Sequence, residues 1–233
     1  MRAIAIITAR GGSKRIPRKN IRDFCGNPII SYAIDAAINS NIFAEVMVST
    51  DDTEIAKIAL ENGAQVPFYR SSRNSDEYST TADVLIEVLS EYEKKGLKFD
   101  YLCCIYPTAP FVTSEKLKLA LKKMINEKAE AIIPVVKFSY PQQRAFILKD
   151  DKLIYKYPEN VFKRSQDLES LYHDAGQFYF IKVETFMKNK TLVCKNTIPL
   201  IVDELSVQDI DTEEDWKMAE LKYKMRGIEN ELL

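Results

Sequence analysis

Histidine is nearly absent from this sequence. His173 is the single one, which argues against a metal centre built on clustered histidines. The four cysteines, Cys25, Cys103, Cys104 and Cys194, never fall in a C-x-x-C spacing. That argues against a zinc ribbon and against a disulfide framework, and the expected state is reduced thiols. Cys103 and Cys104 read as part of a buried strand. No run approaches the roughly 20 apolar residues that a membrane span needs. The run from Ala3 to Ile7 is too short for a secretory leader and opens into a basic loop. The expected location is therefore cytoplasmic, with no membrane partner.

Net charge is lacking too. Lys and Arg number 33 and Asp and Glu 34, so a general nucleic-acid or membrane-surface role is not expected. Internal repeats and low-complexity tracts are absent. Glycine is scarce, with seven in 233 residues, and two of them stand side by side as Gly11 and Gly12.

What is present is an alternation. Residues 3–8, 45–50, 100–106 and 130–136 are short apolar or β-branched runs that read as strands. VPFYR, at 66–70, reads as a further short strand. Residues 28–40, 52–62, 80–95, 113–128 and 212–227 show helical spacing. Strands alternating with helices predict βαβ units, a mostly parallel sheet and helices on both faces, an α/β/α architecture. Near residue 138 the pattern changes. Residues 138–172 read as a hairpin-rich lobe inserted in a single domain spanning residues 1–233, and 176–183 return to strand character.

The stretch ARGGSKRIPRKN follows the first strand and holds Arg10, Lys14, Arg15, Arg18 and Lys19. Ligands of open α/β sheets bind at the carboxyl ends of strands. Adjacent glycines let backbone N–H groups approach an anion and form a nest. Gly11, Gly12 and Ser13 would form the nest, with the cations around it, and a polyphosphate is the ligand that needs so many. The loop is neither G-x-x-x-x-G-K-[ST] nor G-x-G-x-x-G. A solvated basic turn is the alternative.

VQDIDTEEDW, far along the chain, sets Asp209 and Asp211 two apart. In an extended segment both carboxylates face one side and Ile210 packs on the other. Hard oxygen ligands of this kind suit Mg²⁺, which takes one or two carboxylates plus substrate phosphates. The alternative is that this segment only starts the last helix, to which Glu213, Glu214 and Asp215 are assigned. Asp51 and Asp52 form a second acidic pair, with Asp52 reading equally well as a helix N-cap.

ARGGSKRIPRKN resembles the opening signature of the CMP-sialic acid synthetase family, which activates nonulosonic acids with CTP. VSTDD at 48–52, YPTAP at 106–110 and QDIDTEED at 208–215 resemble its later motifs, so the likeness runs along most of the chain. The family implies a nucleotide-diphospho-sugar transferase-like fold and a homodimer formed through the inserted lobe. The substrates it implies are CTP and a nine-carbon 2-keto sugar acid, with Mg²⁺ as cofactor. It places Arg10, Lys14, Lys19 and Asn20 on the triphosphate, Arg70 near the nucleotide, and Thr80 and Thr81 near the base. Lys19, Arg10, Asp209 and Asp211 become the catalytic set. Tyr106 departs from the glutamine of the sialic acid branch.

An anionic acceptor calls for Arg or Lys. The lobe offers Gln142, Gln143, Arg144, Lys163 and Arg164, and His173 is a further candidate for sugar contact. YPQQRAF and YHDAGQFYF resemble the branch acting on pseudaminic acid; sialic and legionaminic acids are the alternatives. Other classes to weigh are a sugar-1-phosphate or molybdenum-cofactor nucleotidyltransferase and a non-catalytic nucleotide or RNA binder. The last is disfavoured because the cations crowd into one turn rather than spread over a face.

Overall fold

The computed structural model describes residues 1–76 and 78–231. In chain order the strands and helices are β1 (Ala3–Thr8), β2 (Asp23–Phe24), β3 (Asn27–Pro28), α1 (Ile29–Ser40), β4 (Glu45–Ser49) and α2 (Thr53–Glu61). Then come α3 (Thr81–Lys94), β5 (Tyr101–Ile105), α4 (Ser114–Asn126), β6 (Ala131–Lys137), β7 (Phe146–Lys149) and β8 (Lys152–Tyr155). The last are β9 (Tyr172–Asp174), β10 (Phe178–Lys182), α5 (Val183–Asn189), β11 (Thr197–Ile201) and α6 (Glu213–Glu231).

The main sheet runs β11-β6-β10-β5-β1-β4, with β9 added to β6. The pairings β1–β4, β1–β5 and β11–β6 are parallel. Strand β10 lies antiparallel between β5 and β6, and β9 is antiparallel to β6. Five strands thus share one direction and two oppose it, as expected of a mostly parallel sheet. Strand β1 shows why its apolar run is unbroken. Ile4 and Ile6 face one core with Leu85, Val88 and Phe186, while Ala5 and Ile7 face the other with Ile30, Ile34 and Leu117. Both faces of the strand are dry, so alternation would be a defect. Cys103 and Cys104 split between the same two cores and are fully buried.

The strand expected at 66–70 does not form. Gln65 makes a single parallel bridge to Met47, and Arg70 donates its N–H to Thr50 O at 2.8 Å. Between them Pro67 has no N–H to give, so the ladder cannot continue. The segment still runs beside β4 and delivers Arg70 to the carboxyl end of the sheet.

A third apolar cluster lies outside the sheet. Ile16, Phe24, Ile29, Phe111, Ile210, Trp216 and Ala219 are all buried together. Phe24 meets Trp216 and Tyr223 edge-on at 5.6 and 5.5 Å. Arg22 covers Trp216 at 4.5 Å and pairs with Glu213 at 2.5 Å. This cluster joins the basic loop to α6. The lobe at 138–172 holds the β7–β8 hairpin, and all eight residues of its two strands are exposed. Among the described residues no helix is long and apolar enough to cross a membrane.

Trp216→Ala is expected to cost about 3–5 kcal/mol of stability. Urea unfolding checks it, and the loss should exceed that of Trp216→Phe by at least about 1 kcal/mol.

Candidate functional site

The turns after β1, β4, β5, β6 and β11 leave the sheet at one edge. The start of the opposed strand β10 and the N-terminus of α3 return to the same edge. Every segment with sequence-predicted site residues therefore reaches it.

The loop after β1 is held from within. Arg18, at φ 55°, grips Asp52 through both guanidinium nitrogens at 2.5 and 2.9 Å and reaches Glu54 at 2.5 Å. Asp52 meanwhile caps α2, accepting from the N–H groups of Glu54 and Ile55. The Arg18 hydrogen bond and those amides draw the Asp52 carboxyl down to about 2. Asp52 is thus the cap that its spacing suggested. Asn20 is buried and donates to Arg10 O at 2.8 Å, which braces the loop across its base.

Gly11, expected to lend its amide to the nest, instead uses it within the protein and is required by a close contact. Its N–H donates to Asp51 Oδ1 at 2.9 Å. A Cβ at Gly11 would stand 2.7 Å from Asp52 Oδ2, so no side chain fits. At Gly12 a Cβ would meet nothing within 4 Å. The space above Gly12 is open, as a site for an approaching anion requires.

The acidic segment comes to the loop. Ile210 is buried, as alternation in an extended segment requires, and its carbonyl accepts from Lys19 Nζ at 2.6 Å. Asp211 Oδ1 lies 2.8 Å from Arg15 Nη2 and 3.6 Å from Lys19 Nζ. The Asp209 side chain is exposed. Thr212 and Asp215 bond each other's backbone N–H and start α6, so Asp215 is committed to the helix. Gln177, buried on the approach to β10, donates to Ser206 O at 2.6 Å and holds the same segment from below. Asp209 and Asp211 are the two carboxylates on either side of Ile210, and Mg²⁺ takes one or two carboxylates plus phosphate oxygens. No group of three or more metal-ligating side chains occurs among the described residues.

Arg70 is buried, donating to the Ser49 hydroxyl at 3.0 Å and carbonyl at 2.5 Å. Burial lowers its proton affinity, and Asp51 opposes that. Arg10 reaches Asp76 O at 2.9 Å. Thr80 caps α3 in a reciprocal pair with Asp83. Thr81 hydrogen-bonds the Tyr106 hydroxyl. Tyr106 in turn lies on Tyr179, with ring centroids 5.4 Å apart, and Tyr179 donates to Asp174 Oδ2 at 2.7 Å. This line from Thr81 to Asp174 was not read from the sequence, because its members are 5 to 98 residues apart and none has a telling spacing. The departure at Tyr106 was its one visible signal.

The lobe residues are placed less simply. Gln143 donates to Glu169 O, Arg144 to Lys163 O, and Arg164 pairs with Asp167 at 2.8 Å. Their described bonds thus stay inside the lobe, and none joins the phosphate loop. Gln142 lines a cavity of about 350 Å³ with Phe138, Tyr140 and Leu171. His173 is exposed on β9, its ring 4.9 Å from that of Phe138 and its Nδ1 2.9 Å from Asp174 O.

The sequence matches the family described as Cytidylyltransferase over residues 4–220. The chain belongs to the cytidylyltransferase family. Pseudaminic acid cytidylyltransferase of Campylobacter jejuni is 41% identical over 97% of both chains. CMP-N,N'-diacetyllegionaminic acid synthase of Legionella pneumophila is 32% identical over 94% of this chain and 95% of its own. In fold, this cytidylyltransferase is similar to a CMP:2-keto-3-deoxy-manno-octonic acid synthetase solved with CTP. Their TM-score is 0.70, with 17% identity over 97% of this chain and all of that one.

Gly11→Ala is expected to push Asp52 aside and cost about 1–2 kcal/mol through the lost cap. Gly12→Ala should leave stability unchanged and weaken CTP binding by about tenfold. Thermal melts and calorimetry with CTP separate the two. The Asp52–Arg18 pair also sets an acid limit. Because the Asp52 carboxyl is depressed in the folded chain, its stabilisation is present above its ordinary value near 3.8 and lost as pH falls to about 2. Discounted for the exposure of Arg18, it amounts to about 1–2 kcal/mol. Urea unfolding of wild type and Arg18→Met should differ by that much at pH 6 and converge near pH 2.

Proposed function

We propose that this cytidylyltransferase transfers CMP from CTP to the anomeric hydroxyl of a nonulosonic acid, pseudaminic acid before others. The observation that carries the reading is the meeting of the basic loop with the acidic segment. Asp211 lies against Arg15 and Lys19 although nearly the whole chain separates them. The choice of sugar is supported by the Campylobacter jejuni relative.

The sugar's anomeric oxygen forms a bond to the α-phosphorus. The bond from that phosphorus to the bridging oxygen of the β-phosphate breaks. Pyrophosphate departs with the electron pair, and the hydroxyl proton passes to solvent. Such transfer depends on positioning and on charge stabilisation. Arg10, Lys14 and Lys19 hold the triphosphate with the amide of Gly12, the Ser13 amide being donated to Gly11 O at 3.0 Å, and Lys19 and Arg10 offset the charge growing on pyrophosphate. Lys19 suits that task because Ile210 O fixes its ammonium group. Asn20 keeps the loop in shape, and Arg70, Thr80 and Thr81 border the nucleotide. Asp209 and Asp211 would hold Mg²⁺, which supplies a Lewis acid at the phosphate when bound.

The sugar lies on the side of Tyr106, Tyr179, Asp174 and His173. Gln142 faces its carboxylate from the lobe, while Gln143, Arg144 and Arg164 would reach it only by exchanging the bonds they make inside the lobe. The β7–β8 hairpin exposes Phe146, Ile147, Leu148, Leu153 and Ile154, each about half exposed or more. A second copy of the chain covers that surface in a homodimer. The cytoplasm is the compartment that supplies CTP and keeps the cysteines reduced.

Pyrophosphate release from CTP is measured with pseudaminic, legionaminic and N-acetylneuraminic acids in turn. Pseudaminic acid should give the highest kcat/KM, and turnover with another acid alone would overturn the sugar assignment. Asp209→Asn and Asp211→Asn should each lose about a hundredfold or more in Mg²⁺-dependent release. Full activity in both would remove the metal assignment.

A further inference from the structure

Gln177 is a buried polar side chain that the proposed reaction leaves unused. It is only 2% exposed. Its Nε2 donates to Ser206 O at 2.6 Å, while its Oε1 is buried with no hydrogen-bond partner among the described residues. A buried acceptor left unsatisfied is destabilising, and each one in a folded chain calls for a reason. The reason here lies with the donor. Ser206 is fully buried, and its carbonyl is a backbone group that needs a partner. A neutral amide supplies one without burying a charge. An apolar side chain of the same size would remove the orphaned Oε1 and, with it, the donor to Ser206 O.

Two hydrogen bonds show what Gln177 joins. Its backbone O accepts from Tyr106 N–H at 2.9 Å, so its main chain is fastened to the end of β5. Its side chain reaches the 3₁₀ turn Glu204–Ser206, which Asp203 closes by accepting from Ser206 N–H at 2.9 Å and from its hydroxyl at 2.6 Å. From Val207, at φ −141° and ψ 133°, the chain leads on extended toward Asp209. Lys222 also reaches Val207 O at 2.7 Å, through a longer and half-buried side chain. Beyond Asp209, Lys19 holds the Ile210 carbonyl. Asp209 therefore stands between two pins, Gln177 on Ser206 and Lys19 on Ile210. Asp211 has Arg15 and Lys19 beside its own carboxylate. The Asp209 side chain is exposed, and its place is set by the backbone on either side.

We propose that Gln177 is a positioning residue for the divalent cation: fastened to the end of β5, it sets the backbone that presents Asp209. The inference rests on the reading of Asp209 and Asp211 as the metal pair. Groups behind a metal ligand that fix its direction contribute about tenfold to a hundredfold in affinity. The triphosphate loop is braced by Asn20 and Arg18 through contacts of their own. Loss of the Gln177 amide therefore acts on the metal and spares the nucleotide.

Mn²⁺ binding to the full chain, followed by electron paramagnetic resonance without nucleotide or sugar acid, tests this without turnover. Gln177→Met keeps the shape of the side chain and removes the donor. It should weaken Mn²⁺ binding by about tenfold and leave metal-free CTP binding, read by calorimetry, within about twofold of wild type. Turnover should fall at low Mg²⁺ and recover as Mg²⁺ is raised, because affinity is what has been lost. A role in folding alone would lower the melting temperature and leave the Mn²⁺ affinity of the folded chain unchanged. Gln177→Asn keeps the amide but not its reach, and carries the same expectation should Gln177→Met fail to fold. The inference is overturned if the folded variant binds Mn²⁺ as tightly as wild type. It is overturned too if metal-free CTP binding falls by the same factor, or if neither variant folds, which would assign Gln177 to the fold. If wild type binds no Mn²⁺, or Asp209→Asn leaves that binding intact, the metal reading itself falls and the inference with it.

Discussion

The site depends on one buried contact between distant parts of the chain. Ile16 and Ile210 share an apolar cluster, roofed by Trp216 and lined by Phe24 and Phe111. Ile210 sits between two aspartates and Ile16 follows Arg15, and these charged neighbours cannot follow the isoleucines inside. Burying Ile16 turns Arg15 outward, and burying Ile210 turns Asp209 and Asp211 to the opposite side of an extended segment. Dry packing thereby sets the spacing of wet chemistry. Lys19 adds a direct tie through the Ile210 carbonyl, so the loop and the acidic segment move as one body. Arg22, stacked on Trp216 and paired with Glu213, extends the tie to the first turn of α6.

A cluster of cations needs a resting state, and the chain supplies its own anions. Asp51 occupies the Gly11 amide, Asp52 and Glu54 occupy Arg18, and Asp211 occupies Arg15. These contacts are unequal. Asp52 also caps α2 and is half-buried beside Arg18, which it holds through two contacts, so its pair is part of the fold. Asp211 is 39% exposed, where solvent screens the attraction and exchange costs little. The loop is therefore stiff at Arg18 and adjustable at Arg15.

Much of this was legible in the sequence. An unbroken AIAIIT run announced a strand covered on both faces, and the alternation in DID announced Ile210 inward and its neighbours outward. The reason for Gly11 was not legible, since the atom that forbids a side chain there belongs to Asp52. Arg18 looked like one more phosphate ligand because sequence shows charge and not its partner. The bridge at Gln65 replaced a strand because Pro67 interrupts donors, a local rule that outweighs the β-propensity of the neighbouring residues. Gln143, Arg144 and Arg164 were chosen as polar and charged side chains of the lobe. Their bonds inside the lobe show that a polar residue in an insertion must first satisfy the insertion.

The residues proposed for the triphosphate lie on a single continuous loop and a single DID segment, so they stand close together in sequence. The side proposed for the sugar is assembled from the N-terminus of α3, the end of β5, the strand β9 and the start of β10. Thr81, Tyr106, Tyr179 and Asp174 meet there through hydroxyl and carboxylate contacts. Burial raises the proton affinity of both tyrosines, so they remain neutral hydroxyls at physiological pH. Tyr179 is spent on Asp174, which leaves that carboxylate braced and fixed in direction. A line of neutral hydroxyls ending on one oriented carboxylate offers a neighbour shape and hydrogen-bond sense rather than charge.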